Sequence, residues 1–364
     1  GHIGQLVVAA VLVLAAVINV RSYVGWMDST DARTVRRPSI PAAEFPRWRD
    51  FQTHRLQSGE NLVLADTYMS LPSDVIDKTI AGENPPIDFN APALNVPSLT
   101  AQLTTPFGTA GDGPGQLTAP YSVAVDGQGI FYVADPKRAK IVRYAPDGTF
   151  LDEWGDKQQL GTPASVIVAP DGSIVVLNAD LGIVTRHEPT GTLIGKVAAL
   201  GGPARGMALG RDGRIYVAFT FNSRVVVLPG NNGDPEPEGN PVGWVSPYSQ
   251  PTSAIADSAG NVYVYEPIMS RIQSQTPEGQ PRFTALAPAN GTFEAGGLAM
   301  LPDGTLLLAD SDAKRIAVYR ADGTLLGAFP VEGEPRGISV TASGLIAVTD
   351  TEGKCIRLYS LSLP

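Results

Sequence analysis

Four aspartates recur at matching positions of a repeated sequence phrase, each after a short run of β-forming residues: Asp135, Asp180, Asp310 and Asp350. Two further copies of the phrase carry Thr220 and Glu266 there. Carboxylate oxygens are the ligands that calcium prefers, so a ring of them could form a metal-binding rim. An aspartate after a strand also caps the following loop by accepting hydrogen bonds from backbone N–H groups. We favour this second, structural interpretation.

Histidine and cysteine, the usual zinc ligands, are scarce in this chain. It has three His and one Cys, and only His187 lies within the repeated part, which is too few for a His-rich zinc site. The single Cys355 excludes a disulfide framework and a four-Cys zinc site, and we expect it to be a small buried residue. No nucleotide-binding loop or nucleophile elbow is present. We therefore predict no catalytic residue, no metal and no cofactor in this chain.

The elements that must position these residues form a repeat. From about residue 115, phrases such as SVAVDGQGIFYVAD recur six times at a period of about 43 residues. Each unit has two short β-rich runs around a tight turn, and then a third and a fourth run around a second turn. The first turn always contains a glycine: Gly129, Gly172, Gly213, Gly260, Gly304 and Gly344. Four antiparallel strands per unit of this length are the signature of a β-propeller blade.

The number of strands predicts how the ring closes. The sixth unit ends after its third strand, and the segment 103–108 (LTTPFG) can supply the missing fourth strand. Such closure removes the open sheet edges that would invite aggregation. The predicted fold is therefore an all-β, six-bladed β-propeller over residues 99–364, closed by an N-terminal strand.

The first unit resembles an NHL repeat. Its pattern matches at Gly111, Gly113, Gly115, Gln116, Leu117 and Pro120, then at Ala124, Val125, Asp126 and Gly129, and finally at Val133, Ala134 and Asp135. The resemblance extends over residues 99–364 and implies an NHL-type propeller, a fold that generally serves as an interaction platform. Propellers of similar shape include metal-dependent lyases and calcium lactonases. For the latter, Asn178, Asp180 and Glu266 are conceivable ligands, although the innermost runs SVAV, SVIV and SAIA contain no carboxylate.

One position per blade should ring the mouth of the central channel. Eight residues before each turn glycine, the chain enters the innermost strand, at Tyr121, Ala164, Arg205, Thr252, Gly296 and Arg336. Blades three and six are opposite in a six-membered ring, so Arg205 and Arg336 should face each other. An Arg fork suits a carboxylate or phosphate. We therefore expect the mouth to receive an acidic side chain, a chain terminus or an anion from a partner; the alternative is that both Arg pair with local acids.

Residues 1–22 are predicted to form a transmembrane helix. The segment 3–20 (IGQLVVAAVLVLAAVINV) carries no formal charge, and about twenty such residues span the roughly 30 Å of a bilayer core. Arg21, Tyr23 and Trp26 follow as the expected basic and aromatic membrane interface.

Residues 23–98 should form a juxtamembrane linker with two short helices. The first, over 46–57, can place Trp48, Phe51 and Leu56 on one face, which we expect to dock on other protein. The second should run from Ser73, a good N-cap, to about Ile80, with Gly82 ending it.

Together these features predict a membrane-anchored, extracytoplasmic propeller that acts as a protein–protein interaction or scaffold subunit of a membrane complex. Its partners would be other membrane subunits or helices and the lipid bilayer. A net charge of −9 argues against nucleic acid. The stretch RSYVGWMDSTDART followed by RWRDFQ loosely resembles the region after the last membrane helix of some polytopic lipid-linked-sugar glycosyltransferases. The alternative is therefore an accessory domain of a membrane enzyme whose catalytic part precedes residue 1. A metal-dependent lyase or lactonase is less favoured.

Overall fold

The computed structural model describes residues 47, 50, 51, 73–82, 96–200, 203–220, 224–230, 243–245, 251–267, 271–287, 296–311 and 313–363. The predicted transmembrane segment 1–22 lies outside these residues, as do Arg21, Tyr23, Trp26, Trp48 and Leu56. No helix within the described ranges is long and apolar enough to cross a membrane.

Before the propeller, the described chain contains one complete helix, α1 (Ser73–Ile80). Its bounds coincide with the second helix expected from the sequence, and Gly82 follows with a φ of 80°. Arg47 forms an ion pair with Asp77 of this helix. Phe51, the one described member of the expected docking trio, is fully buried.

Twenty-four of the strands form six blades of four strands each. Blades 1 to 5 consist of consecutive strands, and β1 completes blade 6. Blade 1 contains β4 (Ser122–Val125), β5 (Phe131–Asp135), β6 (Lys140–Tyr144) and β7 (Phe150–Trp154). Blade 2 contains β8 (Pro163–Val168), β9 (Ile174–Asn178), β10 (Ile183–His187) and β11 (Leu193–Ala199). Blade 3 contains β12 (Gly206–Leu209), β13 (Ile215–Phe219), β14 (Arg224–Leu228) and β15 (Gly243–Val245).

The second half of the ring repeats this order. Blade 4 contains β16 (Ser253–Ala256), β17 (Val262–Glu266), β18 (Arg271–Gln275) and β19 (Pro281–Leu286). Blade 5 contains β20 (Leu298–Met300), β21 (Leu306–Asp310), β22 (Arg315–Tyr319) and β23 (Leu325–Pro330). Blade 6 contains β24 (Pro335–Val340), β25 (Ile346–Asp350), β26 (Cys355–Leu361) and, from the N-terminal side, β1 (Ala101–Leu103). The predicted all-β, six-bladed propeller is confirmed.

The turn between the first two strands of each blade requires glycine. All six turn glycines have a φ between 81° and 89°, in the left-handed region that residues with a Cβ rarely adopt. In three blades the turn is further fixed by a tyrosine of the second strand that donates to the turn aspartate. These pairs are Tyr132 with Asp126 (3.3 Å), Tyr216 with Asp212 (2.7 Å) and Tyr263 with Asp257 (3.1 Å).

The ring is closed by pairing of the N-terminal segment with the last strand, as expected. β1 pairs antiparallel with β26, with Gln102 opposite Ser360. The pairing continues beyond β1, because Phe107 and Ile356 exchange backbone hydrogen bonds of 3.1 and 2.8 Å. The paired stretch thus begins two residues before the expected 103–108. Just after it, β2 (Thr109–Ala110) and β3 (Gln116–Leu117) form a short parallel pair.

The apolar core lies between the blades. Within the described residues, six hydrophobic clusters each join two neighbouring blades, and the cluster between blades 1 and 6 completes the circle. Each blade is therefore held by both of its neighbours. This arrangement keeps the six innermost strands at fixed positions around a common axis.

Candidate functional site: the central channel and its rim

The innermost strands of the six blades surround a channel with a volume of about 570 Å³. This volume is in the range of small-molecule sites, which is roughly 300–1,000 Å³. Every blade contributes lining residues, so the channel runs along the axis of the ring. All six rim positions expected from the sequence line it: Tyr121, Ala164, Arg205, Thr252, Gly296 and Arg336. We call this set the rim.

Arg336 is held in a fixed orientation at the rim. Its Nε and Nη2 atoms donate to Glu334 Oε1 at 3.2 and 3.0 Å, and its guanidinium lies 4.7 Å from the centre of the Tyr121 ring. Only 14% of the Arg336 side chain is exposed. The pairing with Glu334 is the local ion pair that the sequence left open as the alternative. The same contacts also pre-position the guanidinium, which lowers the entropy lost when it binds a ligand.

Arg205 is exposed at the mouth and has Thr252 as a neighbour from the next blade. The strands are very close here: a Cβ on Gly206 would lie 2.3 Å from the Thr252 carbonyl oxygen. The Thr252 side chain is 5% exposed, and its hydroxyl has no hydrogen-bond partner among the described residues. A buried hydroxyl without a partner costs free energy that a bound polar group can recover.

The charge of the channel is opposite to that of the whole chain. Arg205, Arg211 and Arg336 are among its lining residues, and none of the described residues lining it is acidic. The complete chain carries −9. A basic concave surface on an acidic molecule concentrates anions locally. Glu334 partly offsets this field at the rim, through its ion pair with Arg336.

The sequence analysis missed a second set of residues at the channel, one step inside the rim. Seven residues before each turn glycine the chain has serine or glycine, in chain order Ser122, Ser165, Gly206, Ser253, Gly297 and Gly337. Each serine hydroxyl bonds to the inner backbone edge of the next blade. Ser165 Oγ, for example, donates to the Met207 carbonyl at 3.0 Å and accepts from the Met207 N–H at 3.2 Å.

The three glycines of this set work differently. A Cβ on Gly337 would lie 2.6 Å from the Tyr121 carbonyl oxygen, and Gly297 donates directly to the Arg336 carbonyl at 2.7 Å. Neighbouring blades therefore meet either through a serine hydroxyl or by close backbone approach. The repeated Ser-or-Gly choice at one register position was the signal that could have revealed this contact.

The acids at the ends of the second strands bond to backbone N–H groups or to arginines, but two of the expected positions were wrong. Strand pairing places Asn178 and Phe219, rather than Asp180 and Thr220, at the end of the second strand. Asp135 is fully buried and accepts from the backbone N–H groups of Thr118 and Ala119 at 2.6 and 3.2 Å.

The other acids of the set pair with arginines near the start of the third strand. These ion pairs are Glu266 with Arg271 (2.8 Å), Asp310 with Arg315 (2.9 Å) and Asp350 with Arg357 (2.9 Å). No group of three or more His, Cys, Asp or Glu residues suited to a metal occurs in the described part of the chain.

His187 and Cys355 are core residues away from the channel. The His187 ring is fully buried, 5.0 Å from the Trp154 ring, and its burial lowers its pKa. Cys355 is 8% exposed, and burial raises the pKa of its thiol. Burial therefore favours the neutral imidazole of His187 and an unreactive thiol at Cys355.

Comparison with solved structures identifies similar folds. The chain is similar to a streptogramin B lyase (13% identity, 72% of this chain and 98% of that chain, TM-score 0.53). It is also similar to virginiamycin B lyase from Staphylococcus aureus (15%, 73% and 100%, 0.54) and to a gluconolactonase from Xanthomonas campestris (17%, 72% and 99%, 0.55). No family model and no curated protein matches the chain. At these identities the likeness shows the six-bladed propeller fold alone.

Proposed function

We propose that this chain is a membrane-anchored, extracytoplasmic NHL-type propeller that acts as an interaction subunit of a membrane complex, with the rim as its docking site. The observation that carries the proposal is the pair of rim arginines, Arg205 and Arg336, on a rigid and otherwise acidic ring. Tyr121 and Thr252 complete the contact surface between them.

The chemistry of the rim favours an anionic partner group. An arginine guanidinium recognises a carboxylate or phosphate through two parallel hydrogen bonds. When its side chain is already held in one orientation, less entropy is lost on binding. Sites of this kind are commonly presented by loops and strand ends on a rigid scaffold. A partner that inserts an acidic side chain or a chain terminus into the mouth would meet both arginines.

The anchor and the linker supply the membrane part of the proposal. The apolar segment 3–20 is followed by Arg21, Tyr23 and Trp26, which suit the membrane interface. Trp48 and Leu56 would dock on neighbouring membrane subunits, whereas Phe51 of the expected trio is already buried within this chain. An extracytoplasmic propeller is our preference, although Arg33, Arg36 and Arg37 after the helix would favour the cytoplasm by the positive-inside rule.

Two other functions remain as alternatives. An accessory propeller of a polytopic membrane enzyme is distinguished by one observation, namely whether the gene encodes further membrane helices before residue 1. A metal-dependent lyase or lactonase is suggested by the names of the structural neighbours. The side chains that could bind a metal in such an enzyme are already engaged. Asn178 Oδ1 accepts from the N–H groups of Asp180 and Leu181, and Glu266 pairs with Arg271.

Site-specific photo-crosslinking tests the docking role of the rim. A photoreactive residue replaces Ala164 at the rim in the full chain, and Leu151, 44% exposed on the outer strand of blade 1, serves as the control position. After irradiation of intact cells, we expect adducts with membrane proteins from position 164 and none of these from 151. Adding Arg205→Ala and Arg336→Ala should reduce the yield at least tenfold. Equal adducts from both positions, or an unchanged yield without the arginines, would contradict the proposal.

A further inference from the structure

The two ends of the channel differ in chemistry. The rim with Arg205 and Arg336 lies at one mouth. Four residues further along, each innermost strand has an apolar residue; in chain order these are Val125, Val168, Leu209, Ala256, Met300 and Val340. Five of them line the channel, and Ala256 is buried. We call this second set the apolar ring.

The apolar ring lies at the opposite end of the innermost strands from the rim, because each of its residues is the last residue of its strand. Four residues of strand advance the chain by about 13 Å, so the rim and the apolar ring are separated by roughly that distance. The side chains of the ring also belong to the interblade clusters. Met300 lies in the core between blades 4 and 5, and Leu209 packs against the core between blades 2 and 3.

Arg211 narrows the far mouth. Its backbone N–H donates to the Ala256 carbonyl at 2.8 Å, and its Nη2 donates to the Met300 carbonyl at 3.3 Å. The side chain thus extends from blade 3 past blade 4 to blade 5. A ligand that enters at the rim therefore meets Arg205 and Arg336 first and apolar surface afterwards.

We propose that the channel binds a single-chain amphipathic anion, with a carboxylate or phosphate head at the rim and an apolar tail that reaches toward the apolar ring. The inference deepens the proposed function, since it rests on the same anion-binding rim. The volume of about 570 Å³ suits a small molecule, and an apolar lining with a few fixed polar groups is typical of such sites.

Each rim residue has a distinct part in this binding. Arg336, oriented by Glu334 and Tyr121, presents its guanidinium to the head group. Arg205 supplies the opposing positive charge. The Thr252 hydroxyl, buried without a partner among the described residues, gains a hydrogen bond when a head group reaches it. The tail replaces water along the inner strands, so each buried methylene should strengthen binding about fourfold.

Calorimetric titration of the purified full chain with octanoate and octyl phosphate tests the proposal, with acetate and inorganic phosphate as head-group controls. We expect an octyl probe to bind at least tenfold more tightly than its short control, and the better of the two identifies the head group. Arg205→Ala with Arg336→Ala should weaken octyl binding at least tenfold. Arg282→Ala with Arg320→Ala removes the same charge from two exposed positions away from the innermost strands and should leave binding unchanged.

Three results would overturn the inference. The first is that octyl probes bind no better than their short controls. The second is that the outer-arginine control loses as much affinity as the rim pair. The third is that Arg211→Ala loses as much affinity as the rim pair, which would place the head group at the far mouth. The proposed docking function is tested separately, by the crosslinking of the rim to membrane proteins. Rim crosslinking without octyl binding removes only this inference, and octyl binding without crosslinking removes only the docking proposal.

Discussion

At the scale of single residues, His187 couples stability to pH. Its Nδ1–H donates to the Gly191 carbonyl (3.3 Å) and its Nε2 accepts from the Thr185 hydroxyl (2.9 Å), so the neutral ring is satisfied in the fold. Burial lowers the pKa of His187 below the usual 6.5. The unfolded chain therefore binds more protons below about pH 6.5, and the free energy of unfolding falls as the pH falls through that window. We expect a loss of about 1 kcal/mol per pH unit until the folded pKa is reached.

The variant His187→Gln isolates this contribution, because its amide does not titrate. Denaturant unfolding at pH 7.5 and pH 5.5 should show a larger acid-dependent loss for the wild type than for the variant. Carboxylates elsewhere contribute equally to both chains and cancel in the difference. An identical pH dependence of the two chains would show that His187 does not hold a lowered pKa.

Residue positions were predictable where a repeat fixes the register. The six turn glycines and the six rim residues were found by counting within the sequence, because a φ of 81° to 89° strongly favours glycine at each first turn. Asp180 and Thr220 were misplaced because blades 2 and 3 lack the acid at the strand end. In blade 2 the nearest acid, Asp180, lies two positions after Asn178, and in blade 3 the nearest polar residue, Thr220, lies one position after Phe219. Hydrogen bonding between strands, which the sequence does not show, decides where the strand ends.

At the scale of elements, the closing strand should control the stability of the ring. Gln102 of β1 lies directly opposite Ser360 of β26. Gln102→Cys with Ser360→Cys, in a Cys355→Ser background, should form a disulfide on oxidation. Because it closes a very long loop, the oxidised chain should be about 2–4 kcal/mol more stable than its reduced form. Denaturant unfolding with and without reductant measures the difference.

A register control makes this test specific. Gln102→Cys with Leu361→Cys shifts the pair by one residue, which directs the two thiols to opposite faces of the sheet. This pair should not crosslink intramolecularly. Equal crosslinking in both variants would mean that β1 is not fixed in the observed register.

The closing strand also shows how far an element can be predicted from the sequence. A missing fourth strand in the last blade was enough to identify its N-terminal replacement. The bounds were less certain, because Ala101 and Gln102 carry no β-branched or aromatic side chain. Pairing begins there because the backbone of 97–99 already runs along blade 5: Leu99 donates to the Ala328 carbonyl at 2.8 Å. This tertiary contact leads the chain into β1.

At the scale of the whole molecule, the interblade clusters explain how a chain with only 17% charged residues keeps its apolar surface covered. Each blade has two apolar faces, and in a closed ring both are buried against neighbours. The outer strands and the turns therefore face solvent and can make polar contacts. The innermost strands have both roles, since Met300 and Ile338 line the channel and also belong to interblade clusters.

The side of the membrane on which the propeller lies can be tested with a single thiol. Ser258 is exposed in the first turn of blade 4, and Ser258→Cys places a reactive group there. The native Cys355 is buried and its thiol pKa is raised, so its background reaction with a maleimide should be slow. We expect a membrane-impermeant maleimide to label Ser258→Cys in intact cells as completely as in permeabilised cells. The unsubstituted chain should remain unlabelled.

The labelled chain should sediment with membranes after an alkaline wash, whereas a chain that begins at Val96 should not. Labelling only after permeabilisation would place the propeller in the cytoplasm, and equal sedimentation of both chains would remove the role of residues 1–22 as an anchor.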